Sequence, residues 1–495
     1  MTAAMPAAPV DADARDVAAA GSAELLRLAV ASSGALRVGA ALMVAGPLVA
    51  VAGGRWGTYI GVPGAPVFLT DALVVVGLLI IGLDRARNSA ELRLPRTPVP
   101  VAAGAVLMAV VGVLGLVRGG APDLFAIRDA LPFVYLALTP VFVLAVRVVG
   151  VARVLRGLMV ASVIHTFWYA AVEFGVVREF ALPIVGVPVF TSRGDFDGLV
   201  GGIAIATVTV LSRAPIPWRL LVVAAAVSAQ LVQGSRAGLV AMLIVAGAVA
   251  IASRPFRDER LGPVRLAAVF AALPVLAAGI IVAAQSSGWA RALERLFAGS
   301  IESGSSNTTS ARIDAWDRII TYVGHDAPAR WFGKGFGSSF IVDSGAVEYL
   351  SGSSSVRQAH SFLVGWYALV GGIGLTLALI AFALFLLPPV RRMRRDPGAR
   401  FGAAIQMGVL FAAAVGVIME SPFGYLLFVL AVGLSYAEAP DSRLPVPPVG
   451  AGVAGPVPLA PSVRGPASQF PVSTGAPARS GATAPDARTT EGGAT

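Results

Sequence analysis

The sequence predicts an all-α membrane protein: a polytopic bundle of about twelve transmembrane helices with one large extracytoplasmic loop between the ninth and tenth spans. Of the 495 residues, 56% are hydrophobic and only 13% are charged. With a mean hydropathy of +0.78, the chain cannot hide its apolar surface in one soluble core. The apolar residues also form blocks, several of them close to the roughly 20 residues of a membrane-spanning helix, and they do not alternate as in barrel strands.

The apolar blocks divide the chain into five parts. The blocks lie at residues 35–52, 67–83, 99–117, 131–146, 158–174, 199–211, 220–232, 238–252, 266–284, 362–387, 403–418 and 425–436. The predicted parts are an N-terminal segment (1–34), helices 1–9 (35–284), the large loop (285–360), helices 10–12 (361–437) and a tail (438–495). The N-terminal segment has no basic start followed by an apolar core, so we do not expect a cleavable signal peptide. The tail is rich in Pro, Gly, Ala, Ser and Thr, which predicts a disordered extension.

Arginines cluster in alternate connectors and thereby predict the orientation. The clusters follow the second, fourth, sixth, eighth and tenth blocks: Arg85, Arg87, Arg93 and Arg96; Arg147, Arg153 and Arg156; Arg213 and Arg219; Arg254, Arg257, Arg260 and Arg265; Arg391, Arg392, Arg394, Arg395 and Arg400. By the positive-inside rule, this side is cytoplasmic, both termini are inside and the large loop is outside. The same pattern accounts for the net charge of +10 without a nucleic-acid partner.

Metal and nucleotide cofactors are not expected. The chain has no cysteine, and its three histidines, His165, His325 and His360, lie far apart in sequence. Neither a phosphate-binding loop of the GxxxxGK[ST] type nor a dinucleotide-binding glycine turn is present. We therefore predict an activity that needs no metal and no other cofactor.

A few arginines remain on the outer side, where the topology rule does not explain them. Arg193 lies in FTSRGDFDG, Arg236 in the short turn QGSRAG, and Arg312 and Arg318 in the large loop. Each could snorkel to the interface or form a surface ion pair. Alternatively, several guanidinium forks that converge at one outer surface would bind a lipid-linked phosphate or diphosphate.

His360, in the segment AHS before the tenth span, is a candidate proton acceptor. Its pKa is suited to proton transfer near neutrality, although a polar helix-end residue bonded to backbone is an equal alternative. Competing carboxylates are Asp195, Asp197, Glu302, Asp314, Asp317 and Glu420. Glu420 could equally be a helix-terminal charge in water.

Two further parts of the loop are candidates for substrate binding. The turn GKGFG, with Lys334, would let backbone approach a ligand but is a weak phosphate loop. Trp316 could stack on a sugar, although a position at the headgroup level is favoured. With Arg193 and Glu420, these residues complete the predicted substrate-binding group.

The order of these features resembles the bacterial O-antigen ligase and O-antigen polymerase family of polytopic membrane glycosyltransferases. The matching pieces are Arg193 with Gly194, the SRAG turn at 235–238, the AR..AW pattern at 311–316, the G.G motif at 333–337, and AHS with its glycine-containing span at 359–374. The resemblance covers roughly residues 190–387. One departure is DFDGLVGG, where family members often carry an asparagine-containing stretch.

The resemblance implies a metal-independent transfer from an undecaprenyl-diphosphate-linked glycan donor to a glycan or lipid acceptor at the outer membrane face. It implies that Arg193, Arg236 and Arg312 hold the diphosphate and that His360 helps to activate the acceptor hydroxyl. Two alternatives are a transporter or flippase for lipid-linked glycan, with ionisable groups near the midplane, and a non-catalytic membrane scaffold whose partner binds the tail.

Overall fold

Helices make up almost all the regular structure in the part of the chain that the computed structural model describes. This part comprises residues 33–54, 68–87, 97–119, 123–177, 180–181, 188–189, 194–253, 308–350, 359–416, 418–420 and 422–438. The strands seen there are Phe180–Ala181 (β1) and Pro188–Val189 (β2), which pair antiparallel. All these residues belong to one compact unit, Met1–Ser442. The prediction of a helical membrane protein is confirmed.

Each predicted apolar block except the fourth and the ninth coincides with one helix. The fourth (131–146) runs over two helices, and the ninth (266–284) lies outside the described residues. Before the large loop, the helices are α1 (Gly34–Gly53), α2 (Leu69–Arg87), α3 (Val99–Gly119), α4 (Leu124–Ala137), α5 (Thr139–Val149), α6 (Val151–Glu173), α7 (Gly194–Leu211), α8 (Ile216–Gln233) and α9 (Arg236–Ala252). The loop contains α10 (Thr308–Gly324), α11 (Ala327–Phe332), α12 (Phe340–Asp343) and α13 (Val347–Leu350). After it come α14 (Phe362–Arg392), α15 (Pro397–Val415), a 3₁₀ turn (Ile418–Glu420) and α16 (Pro422–Ala437).

Seven of the described helices are long and apolar enough to cross a membrane, and an eighth span results if the bent pair α4–α5 counts as one. The two members of this pair meet at 52°. Pro140 lies in the first turn of α5. Because proline has no backbone N–H, the hydrogen-bond ladder of α4 cannot continue through this residue. The apolar helices α9 and α16 are shorter.

Arginines join the ends of three helices at one end of the bundle. Arg147, in the last turn of α5, donates from Nε to the carbonyl of Ala437 at 3.1 Å. Arg392, at the end of α14, donates to the carbonyl of Ser435 at 2.8 Å. Both bonds satisfy carbonyls that the end of α16 leaves without intrahelical donors. The ends of α5, α14 and α16 therefore lie together, as the arginine pattern requires.

The turn GKGFG attaches the loop to the membrane helices. Lys334 and Gly335 donate their backbone N–H groups to the carbonyls of Ala368 and Leu369 in α14, at 2.8 and 3.0 Å. Phe336 donates to the carbonyl of Gly115 in α3 at 3.0 Å, and its fully buried ring stacks on Phe133 at a centroid distance of 5.3 Å. The motif thus serves as an anchor of the loop on α3 and α14.

The residues just before and within this anchor pack against a kink in α14. Gly371 interrupts the helix with φ +70°, and a β-carbon there would collide with the backbone of Trp331 to Gly333. Gly333 itself has φ +76° and no room for a β-carbon against Leu369. Glycine is required on both sides of the contact because two backbones approach each other directly. The first turns of α14, which follow His360, are thereby fixed relative to the loop.

Candidate active site

Two parallel helices, α7 and α9, begin side by side, and α9 begins with Arg236. Glycines at every fourth position of α7, namely Gly194, Gly198 and Gly202, face α9. A β-carbon on Gly198 would collide with the backbone of Gly238, and one on Gly202 would press on Met242 at 2.9 Å. This spacing places small residues on one helix face and lets two backbones touch. The N-termini of both helices therefore lie at the same end of the bundle.

Arg236 opens α9 at this end. Ser235 caps the helix, since its hydroxyl accepts from the N–H of Gly238 at 3.2 Å. The Arg236 side chain is exposed, and it makes no hydrogen bond or ion pair with the described part of the chain. A cation at a helix N-terminus is repelled by the helix dipole, by roughly 0.3 to 1 kcal/mol. The positive charge of Arg236 is therefore unfavourable for the helix alone. It favours the binding of an anion that contacts both the arginine and the helix N-terminus.

Arg312, in the large loop, is connected to the region where α7 and α9 begin. It lies half-buried on α10, and its Nη1 donates to the carbonyl of Val415 at 3.1 Å, where α15 ends. A β-carbon on the next residue, Gly416, would collide with the carboxylate of Asp195 in the first turn of α7. Arg312 is thus linked through the end of α15 to the start of α7, next to the start of α9.

Trp316 links the same loop helix to His360. It lies one turn after Arg312 on α10, and its indole Nε1 donates to the carbonyl of Ala359 at 2.6 Å. His360 is half-buried and has φ +56°, the one positive φ of a non-glycine residue in the described chain. Such a backbone costs of order 1 to 3 kcal/mol and occurs preferentially at functional sites. Trp316 therefore holds the strained segment that carries the imidazole.

These contacts bring Arg236, Arg312, Trp316 and His360 to one end of the bundle. This end is opposite to that of Arg147 and Arg392, because α15 begins near Arg392 and ends at Val415. Of the remaining predicted residues, Arg193 lies outside the described residues, immediately before Gly194. The backbone of Glu420 lies in the 3₁₀ turn that follows α15.

Lys334 is engaged within the loop. Its Nζ forms an ion pair with Oδ2 of Asp326 at 2.9 Å and lies 4.6 Å from the ring centroid of Tyr322. The hydrogen bond from Lys334 lowers the pKa of Asp326. The contact therefore stabilises the loop at pH values above the ordinary carboxyl pKa, and this stabilisation is lost as the pH falls through the lowered pKa of Asp326. In this structure Lys334 contacts the loop's own residues.

A buried histidine and a buried carboxylate, which sequence reasoning did not pair, join α6 to the first turn of α7. Nε2 of His165 in α6 lies 2.9 Å from Oδ1 of Asp197 in α7, and the two residues are 5% and 2% exposed. The residues are 32 positions apart, so no local pattern could have joined them. The Gly194–Gly198–Gly202 spacing, by contrast, was readable as a close-packing signal.

The other carboxylates considered as proton acceptors are spread apart. Asp314 and Asp317 lie on the exposed face of α10, and Glu302 lies outside the described residues. Within the described ranges, no group of three or more His, Cys, Asp or Glu residues is placed to hold a metal ion.

Comparison with known families connects this geometry to a known protein group. Residues 220–379 match the family model described as O-antigen ligase. The match begins in α8, ends in α14 and includes Arg236, Arg312, Trp316, Lys334 and His360; it does not reach Arg193 or Glu420. A search of the curated proteins gave no match. Over residues 220–379, this integral membrane protein is therefore similar to the O-antigen ligase family.

Proposed function

We propose that the chain is a glycosyltransferase that moves a glycan from an undecaprenyl-diphosphate-linked donor to a hydroxyl group of a glycan or lipid acceptor. One observation carries the proposal: a continuous run of contacts gathers Arg236, Arg312 and His360 at one end of the membrane bundle. Two guanidinium cations and an imidazole at the same end of the bundle are the groups that an anionic leaving group and a hydroxyl nucleophile require.

The transfer is a single displacement at the anomeric carbon of the donor sugar, in which one bond forms as another breaks. The acceptor oxygen forms a bond to the anomeric carbon of the donor sugar, while the bond from that carbon to the diphosphate oxygen breaks. The bonding electron pair leaves with undecaprenyl diphosphate, and the hydroxyl proton passes to the imidazole of His360. The reaction consumes no oxidant, reductant or nucleotide, and we propose that it needs no metal.

The arginines stabilise the negative charge that grows on the diphosphate. Arg236 offers all its donors, since it has no partner in the described chain, and it adds to the positive end of the α9 dipole. Arg312 uses one N–H on Val415, which fixes the plane of the remaining donors. We assign Arg193, which directly precedes Gly194, to the same diphosphate.

The other three predicted substrate-binding residues have weaker support. The indole N–H of Trp316 holds Ala359, and Lys334 is paired with Asp326, which favours positioning roles for both. Glu420 is the last residue of the 3₁₀ turn, five residues after the Val415 carbonyl that Arg312 binds, and we propose it for acceptor contacts.

We place the protein in the bacterial cytoplasmic membrane, surrounded by membrane lipids, with the site at the outer face and the tail in the cytoplasm. The support is the arginine distribution together with the separation of the site from the Arg147 and Arg392 end.

Reconstituted protein tests the proposal. Purified protein in liposomes is given a radiolabelled undecaprenyl-diphosphate glycan and an acceptor, and glycosylated acceptor is counted. Arg312→Lys should lower the rate by roughly thirtyfold to a thousandfold, equivalent to about 2 to 4 kcal/mol, because lysine cannot present a planar fork.

Arg318→Lys is the matched control. Arg318 lies on the same helix but on its exposed face, where it bonds the hydroxyl of Tyr349 at 2.9 Å. Its variant should transfer at the wild-type rate. Equal rates for Arg312→Lys and wild type would contradict the proposed role of the arginines.

A further inference from the structure

Arg128 is a charged residue on a membrane helix that the proposed reaction does not use. It lies in α4, and its side chain is half-buried. Within the described ranges, it makes no hydrogen bond or ion pair. A guanidinium that is partly removed from water without a counter-charge costs free energy. Charged groups in membrane-spanning helices are therefore retained mainly where they bind a ligand or an ion.

Two carboxylates in this part of the bundle bind groups other than Arg128. Asp129, the next residue of α4, accepts from the backbone N–H of Gly337 at 2.9 Å. Asp71, in the first turn of α2, accepts from the hydroxyl of Tyr135 at 2.7 Å. Each carboxylate thus has a neutral donor, and neither forms an ion pair with Arg128. The positive charge of Arg128 is left for an anion from outside the described chain.

The face of α4 that carries Arg128 opens toward the start of the helix. Tyr135 lies seven residues later on the same face, where it is buried and its ring stacks on that of Tyr425 in α16 at a centroid distance of 4.8 Å. Arg128 lies close enough to Tyr425 for its charge to act on the tyrosine hydroxyl. Leu124, one turn before Arg128, is 54% exposed. The guanidinium therefore lies between a packed tyrosine pair and an open end of the helix.

This open end lies at the same end of the bundle as the candidate active site. The bent span α4–α5 ends near Arg147, so Arg128, near its start, lies at the opposite end. α4 also contacts the 3₁₀ turn Ile418–Glu420. This turn follows the end of α15, where the carbonyl of Val415 binds Arg312. Arg128 therefore reaches the connection between α15 and α16 from α4, and Arg312 reaches it from the loop.

The neighbouring face of α4 is apolar and exposed. Ile127 and Val134 lie seven residues apart on this face, and both side chains are exposed. Exposed apolar side chains on a membrane-spanning helix face the lipid. Arg128 thus lies at the border between lipid and the open end of the helix. An anion with a lipid tail can place its tail in the bilayer and its charged group at such a border.

We propose that Arg128 binds a phosphate of the lipid-linked donor from the lipid side of the site, as a substrate-binding residue in addition to Arg236 and Arg312. This role rests on the proposed function, since it assumes a donor with a lipid-linked diphosphate. Guanidinium and phosphate form paired, charge-assisted hydrogen bonds. The bound phosphate supplies the counter-charge that the described chain does not give to Arg128.

Binding of farnesyl diphosphate to protein in phosphatidylcholine nanodiscs tests this role. By calorimetry, Arg128→Gln should bind the probe roughly tenfold to a hundredfold more weakly than the wild type. Arg118→Gln is the matched control, because Arg118 is exposed in the last turn of α3, at the same end of the bundle. It loses the same charge and should bind with wild-type affinity. If Arg128 contacts only phosphates of the surrounding phospholipid, Arg128→Gln also binds with wild-type affinity, which overturns the inference.

Thermal unfolding separates ligand binding from a structural role. Without ligand, Arg128→Gln should unfold at the wild-type temperature or above it, because the variant lacks an unpaired charge. Farnesyl diphosphate should raise the unfolding temperature of the wild type more than that of the variant. A ligand-free variant that unfolds below the wild type would show that Arg128 stabilises the empty protein, and this result overturns the inference.

Two further outcomes are distinguishable. Should Arg128→Gln fail to insert, Arg128→Lys takes its place; it keeps the charge without the planar fork and should bind about threefold more weakly, and an unchanged affinity overturns the inference. Failure of the proposed function looks different, because Arg312→Ala would then bind farnesyl diphosphate with wild-type affinity. Weakened binding in Arg312→Ala with unchanged binding in Arg128→Gln overturns the role of Arg128 alone.

Discussion

The left-handed backbone of His360 allows its imidazole to be tested separately from its conformation. With φ +56°, an alanine at this position is strained by about 1 to 2 kcal/mol, whereas glycine adopts such a backbone freely and asparagine tolerates it. Glycine also loses about 0.5 to 1 kcal/mol through its freedom in the unfolded chain. Both variants lack the same imidazole contacts, so the difference between these two effects remains, and His360→Gly should be more stable than His360→Ala by up to about 1.5 kcal/mol.

Activity should not follow this order of stability. Without a proton acceptor, His360→Ala, His360→Gly and His360→Asn should all transfer glycan about a hundredfold more slowly or worse. Donor binding should stay near that of the wild type, since the imidazole acts on the acceptor. The assays are thermal unfolding of detergent-purified protein, and transfer and donor binding in liposomes. Wild-type transfer in the Gly or Asn variant would show that the backbone conformation matters and the imidazole does not, which refutes the assigned role.

Three further predictions concern the scaffold and the topology. Gly198→Leu should prevent α7 from reaching the backbone of Gly238 and abolish both transfer and diphosphate binding; normal binding in an inserted Gly198→Leu protein would contradict the packing of these helices. Phe336→Ala should destabilise the anchored loop by about 3 to 5 kcal/mol and expose it to protease, because its ring is fully buried; protease resistance equal to wild type would argue against the anchor. Cysteine introduced at Ser305 should react with an impermeant thiol reagent in intact cells and one at Ser462 should not; the reverse pattern would invert the orientation.

Much of the membrane scaffold could be predicted from the sequence because a span has a characteristic length and composition. The first block, predicted at 35–52, is the helix Gly34–Gly53, and the third, predicted at 99–117, is Val99–Gly119. The fourth was predicted as one helix at 131–146, whereas the structure has two that meet at a 52° bend. Hydropathy averages over a window, so it does not register the break that Pro140 causes.

The site was predictable in residue types and less so in contacts. Position relative to the topology marks Arg236 and Arg312 as unusual, and the capacity for proton transfer near neutrality marks His360. The structure places all three at one end of the bundle. His165 in α6 pairs with Asp197 in α7, and the side chain of Gln230 in α8 donates to the carbonyls of Gly194 and Ser235. These contacts join different helices, so hydrophobic periodicity within one helix does not predict them.

The turn GKGFG shows the opposite difficulty. From the sequence alone, its glycines predict a close backbone approach to a ligand, because glycine permits any close backbone contact. In the structure, that contact is with α3 and α14, through the carbonyls of Gly115, Ala368 and Leu369. A glycine-rich pattern predicts close approach and does not identify the partner.

The central claim is tested most directly by identifying both products of one reaction. Protein in liposomes that contain EDTA is supplied with undecaprenyl-diphosphate glycan and acceptor, and the lipids and glycans are analysed by mass spectrometry. We predict that glycosylated acceptor and free undecaprenyl diphosphate appear in equal amounts without added metal. Donor that crosses the bilayer intact with no covalent product, or a product that forms only when Mg²⁺ or Mn²⁺ is added, would contradict the account.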